Sequence, residues 1–437
     1  MNLPVDKHVL SNGLTVLLCE KKSAPVVAVQ VWYRTGSVNE HDGIRGISHF
    51  FEHMMFRGSA KVAPEEHARR INAVGGHCNA FTAEDVTAYI NSVPKAYTDM
   101  VLGFEADRMR SLLLTAEILE TERKVVIEEF HTYMNNPVAK AFLEFRKDFY
   151  GAHPYAVSPL GTEHDIASIT IDDCRSYYER WYQPSNALLV ITGDFGSGAA
   201  VMNSVETCFG NIQDTAARIV EPDPGDGAVT PNGPPFMTRA VEFDVPILLT
   251  GYPAPPSSHP DAVALEILMQ IVSQGETSRM HREIVRKKSL AVMTGGMNHL
   301  LRRPGMSMFF AAFTPDIPAR RVETAINAQI RLILDAGITA AEMEKVKNTI
   351  LANRLYEMYS AEHICQRLGY AQAVEGDYNQ WTRRLAALER IDRNLLSDVA
   401  RRYWDESRKR VLCLRPRRVK PLLFAVGLAR RVFGRFM

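Results

Sequence analysis

The sequence carries almost no net charge and has few cysteines for its length. Its 437 residues include 51 Lys and Arg against 50 Asp and Glu, a net charge of +1. Surfaces that bind nucleic-acid phosphates are strongly basic, so we expect no nucleic acid as a partner. The six cysteines lie far apart and form no C-x-x-C pair, which predicts neither a cysteine zinc site nor a disulfide scaffold.

Long apolar runs are also missing. No stretch reaches the roughly 18 uninterrupted apolar residues that a membrane-spanning helix needs. The first residues, MNLPVDKHVLSNGLTVLLCE, lack the basic and then apolar order of an export signal. We therefore expect a cytoplasmic protein, or a periplasmic one if an export signal has been removed from this sequence.

The composition is that of a globular protein, with 46% hydrophobic and 23% charged residues. Residues 221–235 (EPDPGDGAVTPNGPP) lack an apolar period and predict a linker. On either side, residues 1–220 and 236–416 alternate strand and helix patterns in the same order. This favours two similar α+β domains that arose by duplication, with two unrelated α+β domains as the alternative.

Residues 417–437 form a basic, amphipathic tail after the second domain. Seven basic residues and no acidic one lie between Arg415 and Met437, so the rest of the chain has a net charge of −6. Such a segment could lie on an anionic membrane surface. We favour the other interpretation, a helix docked on this protein or on a partner.

Local patterns predict the first elements of the fold. Residues 14–19 and 26–33 are β-branched and apolar, and with the turn signal Asn12-Gly13 before them they predict a β-hairpin. In residues 44–56 apolar side chains occupy nearly every face, which predicts a buried helix.

That helix carries the most informative motif, His49-Phe50-Phe51-Glu52-His53. Residues four apart on a helix share one face, so His49 and His53 can both direct an imidazole nitrogen at one metal ion. Glu52 projects to the flank, where a general base can hold a water beside the metal. The alternative is a pair of core or capping histidines.

A hydrolytic zinc site needs a third protein ligand. The predicted helix at 116–133 is rich in carboxylates, most of which should be solvated. Glu122 and Glu129 are seven residues apart, two helical turns, and so share one stripe close to the buried side.

Three segments together resemble the pitrilysin-type, or inverzincin, zinc metallopeptidases. They are GISHFFEHMMFRG, VGGHCNAFTAEDVTAY and ETERKVVIEEF. The resemblance extends over HPYAVSPLGTEHDIASITIDDCRSYYERWYQPSNALLVITGDF and DAVALEILMQIVSQGETSRMHREIVR, and so covers about residues 4–416. It implies two duplicated domains, each a mainly antiparallel sheet packed against helices, that form a bowl-like half of a clamshell.

The resemblance also implies roles for individual residues. The zinc ligands fall on His49, His53 and Glu129, and the catalytic base on Glu52. Glu122 matches an acidic residue that supports the catalytic site. Glu128 would then be a solvated neighbour.

Residues Asn79, Ala80 and Phe81 resemble the family's edge strand, where an extended peptide pairs with the backbone beside the zinc. The alternative is a glycine turn followed by a structural strand. His77, Cys78, His131 and His153 have no chelate spacing, and we expect them to be structural.

The second domain departs from the family in one residue. An arginine that holds substrate, matched by Arg286, is followed six residues later by a tyrosine in the family, but here by Val292. A valine side chain cannot donate a hydrogen bond. The chain thus resembles the zinc subunit of the short, processing-peptidase-like branch, whose partner subunit carries the arginine-tyrosine pair.

The sequence therefore predicts a zinc metalloendopeptidase that cuts extended peptides or unfolded segments in a chamber formed with a homologous partner, a heterodimer or otherwise a homodimer. Zn²⁺ is the expected cofactor. The alternative is a noncatalytic structural subunit of a larger complex, because a fold does not determine a function.

Overall fold

The computed structural model describes residues 3–215, 229, 231 and 233–420, so most of the predicted linker and the tail beyond residue 420 lie outside the described residues. The strands are β1 (Val5–Val9), β2 (Thr15–Glu20), β3 (Val26–Tyr33), β4 (His77–Thr82), β5 (Thr87–Pro94), β6 (Ala187–Gly193), β7 (Phe236–Val241), β8 (Ile247–Ala254), β9 (Met293–His299), β10 (Gly305–Ala312) and β11 (Arg410–Pro416). The α-helices are α1 (Ile47–Met54), α2 (Glu66–Ala73), α3 (Thr98–Arg110), α4 (Ala116–Met134), α5 (Pro137–Tyr150), α6 (Glu163–Ser168), α7 (Ile171–Trp181), α8 (Gly198–Phe209), α9 (Ala262–Ser273), α10 (Ala319–Ala336), α11 (Ala340–Glu357), α12 (Ala361–Ala373), α13 (Gln380–Arg390) and α14 (Arg393–Tyr403). Within these described ranges, no helix has both the length and the apolar character to cross a bilayer.

The first sheet has the strand order β1-β2-β6-β3-β5-β4. The two strands predicted as a hairpin, β2 and β3, are both present, but the pairing was wrong because β6 lies between them. The Asn12-Gly13 turn instead joins β1 to β2, which pair antiparallel. Gly13 adopts a φ of +88°, a conformation open to glycine without strain.

The second sheet has the strand order β7-β11-β8-β10-β9. Apart from β1, its connectivity is that of the first sheet. In each, the last strand inserts between the first two and runs parallel to the first, and the third strand ends at the sheet edge. The other described pairings are antiparallel. The prediction of two similar α+β domains, each a mainly antiparallel sheet with helices, is confirmed.

Helices cover both faces of the first sheet. Along β3, Val27, Val29 and Val31 enter one apolar core, whereas Ala28 and Trp32 enter the core under α12. Gly369 allows α12 to approach the sheet closely, because a Cβ at this position would lie only 2.2 Å from the Trp32 indole. Burial on both faces explains why β3 and β6 are apolar along almost their whole length.

Packing divides the chain into two compact units that are not continuous in sequence. The first unit comprises Met1–Thr132, Val157–Asp223 and Ala352–Arg383. The second comprises Tyr133–Ala156, Pro224–Leu351 and Arg384–Met437. Each unit thus includes short segments from the other side of the predicted linker. The predicted linear boundaries at 220 and 236 do not describe these segments. In the second unit α5 packs on β8, where Gly251 leaves room for the Phe145 ring.

Candidate metal centre

A buried carboxylate fixes the first turn of α1. Glu40 Oε2 accepts a hydrogen bond from the Gly46 backbone N–H at 2.7 Å, and Oε1 accepts one from Ser48 at 2.9 Å. N–H groups in a first helical turn have no partner within the helix, and negative charge is favourable there. Burial raises the pKa of Glu40 in spite of these hydrogen bonds. Glu40 therefore stabilises the start of α1, the helix that carries His49 and His53.

Three predicted zinc ligands converge in the first unit. The rings of His49 and His53 lie 5.0 Å apart, centroid to centroid. Glu129 on α4 faces both: its Oε1 is 3.7 Å from His49 Nε2, and its Oε2 is 3.5 Å from His53 Nε2. One ligand atom from each residue lies within 4.8 Å of the others. His49 is buried and the Glu129 side chain is 49% exposed, so the trio is open on the Glu129 side.

This donor set fits zinc. Two imidazoles and one carboxylate form a known catalytic zinc set, and donors around a tetrahedral zinc are separated by about 3.4 Å. The observed separations of 3.5 and 3.7 Å are close to that value. Burial, with the neighbouring His53 second, lowers the pKa of His49 to about 4. Its imidazole is therefore neutral at pH 7, the form that binds a metal.

Glu122 supports His53 from the side away from Glu129. Its side chain is fully buried, its Oε2 lies 3.4 Å from His53 Nδ1, and its Oε1 lies 2.6 Å from Arg57 Nε. Burial opposes ionisation, but the contact with His53 and the charge of Arg57 lower the pKa of Glu122. Burial likewise opposes a charged His53, yet Glu122 and Glu129 raise its pKa. A partner at Nδ1 leaves Nε2 of His53 as the metal-facing nitrogen.

Glu52 stands on the same helix, and Thr82 at the end of β4 holds its carboxylate. Thr82 Oγ1 donates to Glu52 Oε2 at 2.7 Å. Burial raises the pKa of Glu52, and the Thr82 hydrogen bond opposes this effect. A carboxylate with a raised pKa is suited to accept and return a proton near neutral pH.

Sequence reasoning missed three residues of this centre: Glu40, Arg57 and Thr82. Arg57 and Thr82 lie inside the quoted segments, but no local spacing marks them as partners of Glu122 and Glu52. Glu40 precedes the motif by nine residues, and its role depends on the backbone turn at Gly46. Each contact joins residues from different elements or turns.

The predicted peptide-binding strand lies at a sheet edge. β4 pairs with β5 on one side and ends the first sheet. Asn79 and Ala80 line, together with Glu52, an open cavity of about 840 Å³. The Phe81 ring instead packs edge-on against Trp32 at 5.3 Å, so Phe81 can offer a ligand its backbone rather than its side chain.

The remaining predicted residues lie elsewhere. Arg286, in the second unit, belongs to the π-helix His281–Lys287 and forms an exposed ion pair with Glu276. Val292 is 41% exposed just before β9. His77, Cys78, His131 and His153 are not members of the metal-binding trio found in the described chain. The three histidines contact, respectively, Glu362, Glu163 and the backbone N–H of Tyr155.

Comparisons with known families and proteins agree on one group. A profile described as "Insulinase (Peptidase family M16)" matches residues 15–163, and "Peptidase M16 inactive domain" matches residues 168–350. Zinc protease PqqE of Helicobacter pylori is 29% identical over 361 residues, 81% of this chain and 80% of that protein. The uncharacterized zinc protease YmxG of Bacillus subtilis is 24% identical over 404 residues, 92% of this chain and 96% of that protein.

Solved structures share the fold. The crystal structure of a protease from Helicobacter pylori superposes with a TM-score of 0.88 at 26% identity and covers 95% of this chain and 100% of that one. The periplasmic protease PqqL from Escherichia coli has a TM-score of 0.75 at 18% identity, which shows the fold alone. That match covers 99% of this chain and 50% of the PqqL chain.

Proposed function

Because this chain belongs to the insulinase-type peptidase family M16, we propose that it is a zinc-dependent endopeptidase acting on extended peptides or unfolded segments. The observation that carries the proposal is that Glu129 on α4 meets His49 and His53 on α1, the helix that also presents Glu52. A half-buried carboxylate beside two imidazoles and a third ligand is the arrangement that metal-assisted hydrolysis needs.

His49, His53 and Glu129 would hold the zinc. When bound, zinc supplies Lewis-acid polarisation of the scissile carbonyl and makes a nearby water easier to deprotonate. Glu52 takes the proton from the attacking water and passes it to the leaving amine. Thr82 donates to Glu52 Oε2 and so restricts the orientation of this carboxylate. Glu122 and Arg57 keep His53 in one orientation throughout.

The substrate would bind as an added strand. The outer edge of β4 lies next to the cavity that Glu52 lines, and there the Ala80 backbone N–H donates to the Asn79 side chain at 2.9 Å, a contact that an added strand would replace. Strand addition draws affinity from the main chain and places few demands on side chains. Folded proteins cannot supply such an extended segment, which is why the proposed substrates are peptides and unfolded segments.

We also propose that the active form is a heterodimer with a homologous subunit. Val292 cannot replace the hydroxyl of the family's tyrosine, so half of the substrate-holding pair is missing here. This chain matches 50% of the Escherichia coli PqqL chain. PqqL is thus about twice as long, which is the length that two subunits of this size would have together. A chamber between two such subunits would admit extended chains.

The experiment uses the chain tagged and purified from its native source, with whatever partner accompanies it. Zinc content and cleavage of a fluorogenic extended peptide are measured for the wild type, for Glu52→Gln and for Glu128→Gln, an exposed neighbour of the ligand on α4. We expect Glu52→Gln to keep its zinc and lose more than about a thousandfold in kcat, with Glu128→Gln unchanged.

The competing function is a noncatalytic subunit, which the description "Peptidase M16 inactive domain" for residues 168–350 brings forward. A native preparation that contains zinc but cleaves no peptide, or in which Glu52→Gln equals the wild type, would favour that function. Cleavage abolished by a chelator and restored by zinc would favour the peptidase.

A further inference from the structure

A second cavity lies wholly within the second unit. It has a volume of about 540 Å³ and opens between the segment after β8, the turn before β10 and the end of α14. This volume is in the usual range for a small-molecule site, about 300–1,000 Å³. None of the residues of the metal centre lines it.

The walls of this cavity are flat and apolar. Pro253, Pro255 and Pro304 are buried and line it, together with the half-buried ring of Tyr403. Tyr403 is fixed in place because its hydroxyl donates to Asp261 Oδ2 at 3.1 Å. Rigid rings of this kind stack well against another ring.

The polar side chains that line the cavity are donors. The backbone N–H of Asp261 donates to His259 Nδ1 at 3.1 Å, so Nδ1 is an acceptor and Nε2 is left as the donor nitrogen. Arg408 also lines the cavity. The carboxylate of Asp261 contacts Arg402 and Tyr403, and its Oδ2 also lies 3.7 Å from His259 Nδ1. No carboxylate belongs to the described lining of this cavity.

Arg408 interacts electrostatically with Asp405, whose carboxylate pKa is lowered by Ser407 first and by the charge of Arg408 last. Within the described part of the chain, no ion pair or side-chain hydrogen bond engages its guanidinium. The nearby Asp405 carboxylate is occupied by the backbone N–H and the hydroxyl of Ser407, at 2.9 and 2.8 Å. An arginine beside apolar rings and an imidazole N–H is complementary to an anion that carries a ring.

We propose that this cavity binds an organic carboxylate with an attached planar or proline-like ring. The carboxylate pairs with Arg408 and accepts from His259 Nε2, and the ring stacks on the prolines and Tyr403. The ligand is either a small free acid or the carboxyl-terminal residue of a peptide. Binding here is independent of the zinc chemistry proposed above.

The probe is N-acetyl-L-phenylalanine, with the uncharged N-acetyl-L-phenylalaninamide as its matched control. Both are titrated into the full chain carrying His49→Ala, which removes a metal ligand so that a carboxylate cannot bind through zinc. We expect saturable binding of the acid at or below about 10 mM and at least tenfold weaker binding of the amide. A tetrapeptide ending in phenylalanine then separates the two sources. If it binds more tightly than N-acetyl-L-phenylalanine, the ligand is a peptide carboxyl terminus; if it binds more weakly, the ligand is a small free acid.

Arg408→Gln should weaken binding of the acid at least tenfold and leave the amide unchanged, because it removes the cation and retains much of the side chain's length. Arg321→Gln, an exposed arginine on α10, is the control and should change neither. Equal affinities for acid and amide, no saturation by about 10 mM, or indifference of the acid to Arg408→Gln would each overturn the proposal.

Discussion

Thr82 Oγ1 lies 2.7 Å from Glu52 Oε2, a hydrogen bond between the edge strand proposed to hold substrate and the helix that carries the proposed base. Burial raises the pKa of Glu52, and this hydrogen bond is the first influence that counters it. The strand proposed to bind a peptide thus also holds the carboxylate proposed to deprotonate the attacking water. If both proposals hold, a change in β4 on peptide binding would reach Glu52 through the Thr82 hydroxyl.

Thr82→Val removes that hydroxyl and keeps the shape of the side chain. The pKa of Glu52 should rise further, and since only the ionised carboxylate acts as a base, the acid limb of the kcat/KM profile should move to higher pH. We expect a loss of about tenfold in activity at pH 6 and a smaller loss at pH 8. Thr82→Ser should restore the wild-type profile. An unshifted limb in Thr82→Val would show that the hydrogen bond does not control Glu52.

The choice between two adjacent carboxylates on α4 can be measured directly. Glu129 faces both histidines, whereas the neighbouring Glu128 is exposed and is not a member of the trio. Glu129→Gln should reduce zinc affinity at least about a hundredfold in a chelator competition, because a carboxylate ligand is lost. Glu128→Gln changes charge equally and should bind zinc as the wild type does. The reverse order of affinities would reassign the ligand.

Arg57 should act on zinc through Glu122. It contacts the buried Glu122 carboxylate at 2.6 Å and the exposed Glu65 at 2.8 Å. Arg57→Gln leaves His53 as the remaining charged contact of Glu122. The pKa of Glu122 should therefore rise, and the contact of Glu122 with His53 should weaken. We expect zinc to bind about 10–100-fold more weakly. Glu65→Gln removes the other partner of Arg57 and should have little effect, since exposed ion pairs contribute about 0–1 kcal/mol.

A buried histidine outside the centre predicts acid sensitivity. His67 is 4% exposed, its Nε2 lies 3.0 Å from Asn91 Oδ1, and burial together with the charge of Arg108 lowers its pKa to about 3. An unfolded histidine has a pKa of about 6.5, so between these values the unfolded chain binds a proton that the folded chain does not. Stability from this group is therefore complete above pH 6.5 and falls as the pH drops, by up to about 1.4 kcal/mol per unit.

The measurement is the free energy of unfolding of the metal-free chain in urea at pH 6.5 and 4.5. His67→Gln should be less stable than the wild type at pH 6.5 but should lose less stability on acidification. His41→Gln, in an exposed loop, controls for the loss of a histidine. Equal pH dependence in His67→Gln and the wild type would contradict the lowered pKa of His67.

Local spacing predicted which side chains share a helix face, and the family resemblance predicted that the two faces meet. His49 and His53 are one turn apart and Glu122 and Glu129 two turns apart, and the structure places all four at one centre. Their depth differs from the prediction of a common, nearly buried stripe: the Glu122 side chain is fully buried and that of Glu129 is 49% exposed. Periodicity specifies a face of a helix, whereas burial depends on what neighbouring elements cover.

Strand pairing was the part that local patterns could not supply. β2 and β3 are close in sequence and were predicted to pair, but β6, more than 150 residues later, enters between them. Thr82 and Glu52 are likewise 30 residues apart and meet only because β4 passes beside α1. Such contacts depend on tertiary packing, which leaves no periodic trace in the segments themselves.

The heterodimer proposal has its sharpest test at Val292. This side chain is 41% exposed, so the larger tyrosine can be accommodated there, and the Val292 backbone is already held by a 2.8 Å hydrogen bond to Ala312. Arg286 forms an exposed ion pair with Glu276, which costs about 0–1 kcal/mol to release toward a substrate carbonyl.

The purified wild-type chain should therefore be nearly inactive alone, and addition of the partner should restore cleavage. Val292→Tyr should give the isolated chain at least about tenfold more activity than Val292→Phe, which has the ring but no hydroxyl to donate. Full activity of the wild-type chain without a partner, or equal activity of the two variants, would show that the missing hydroxyl is not what the partner supplies.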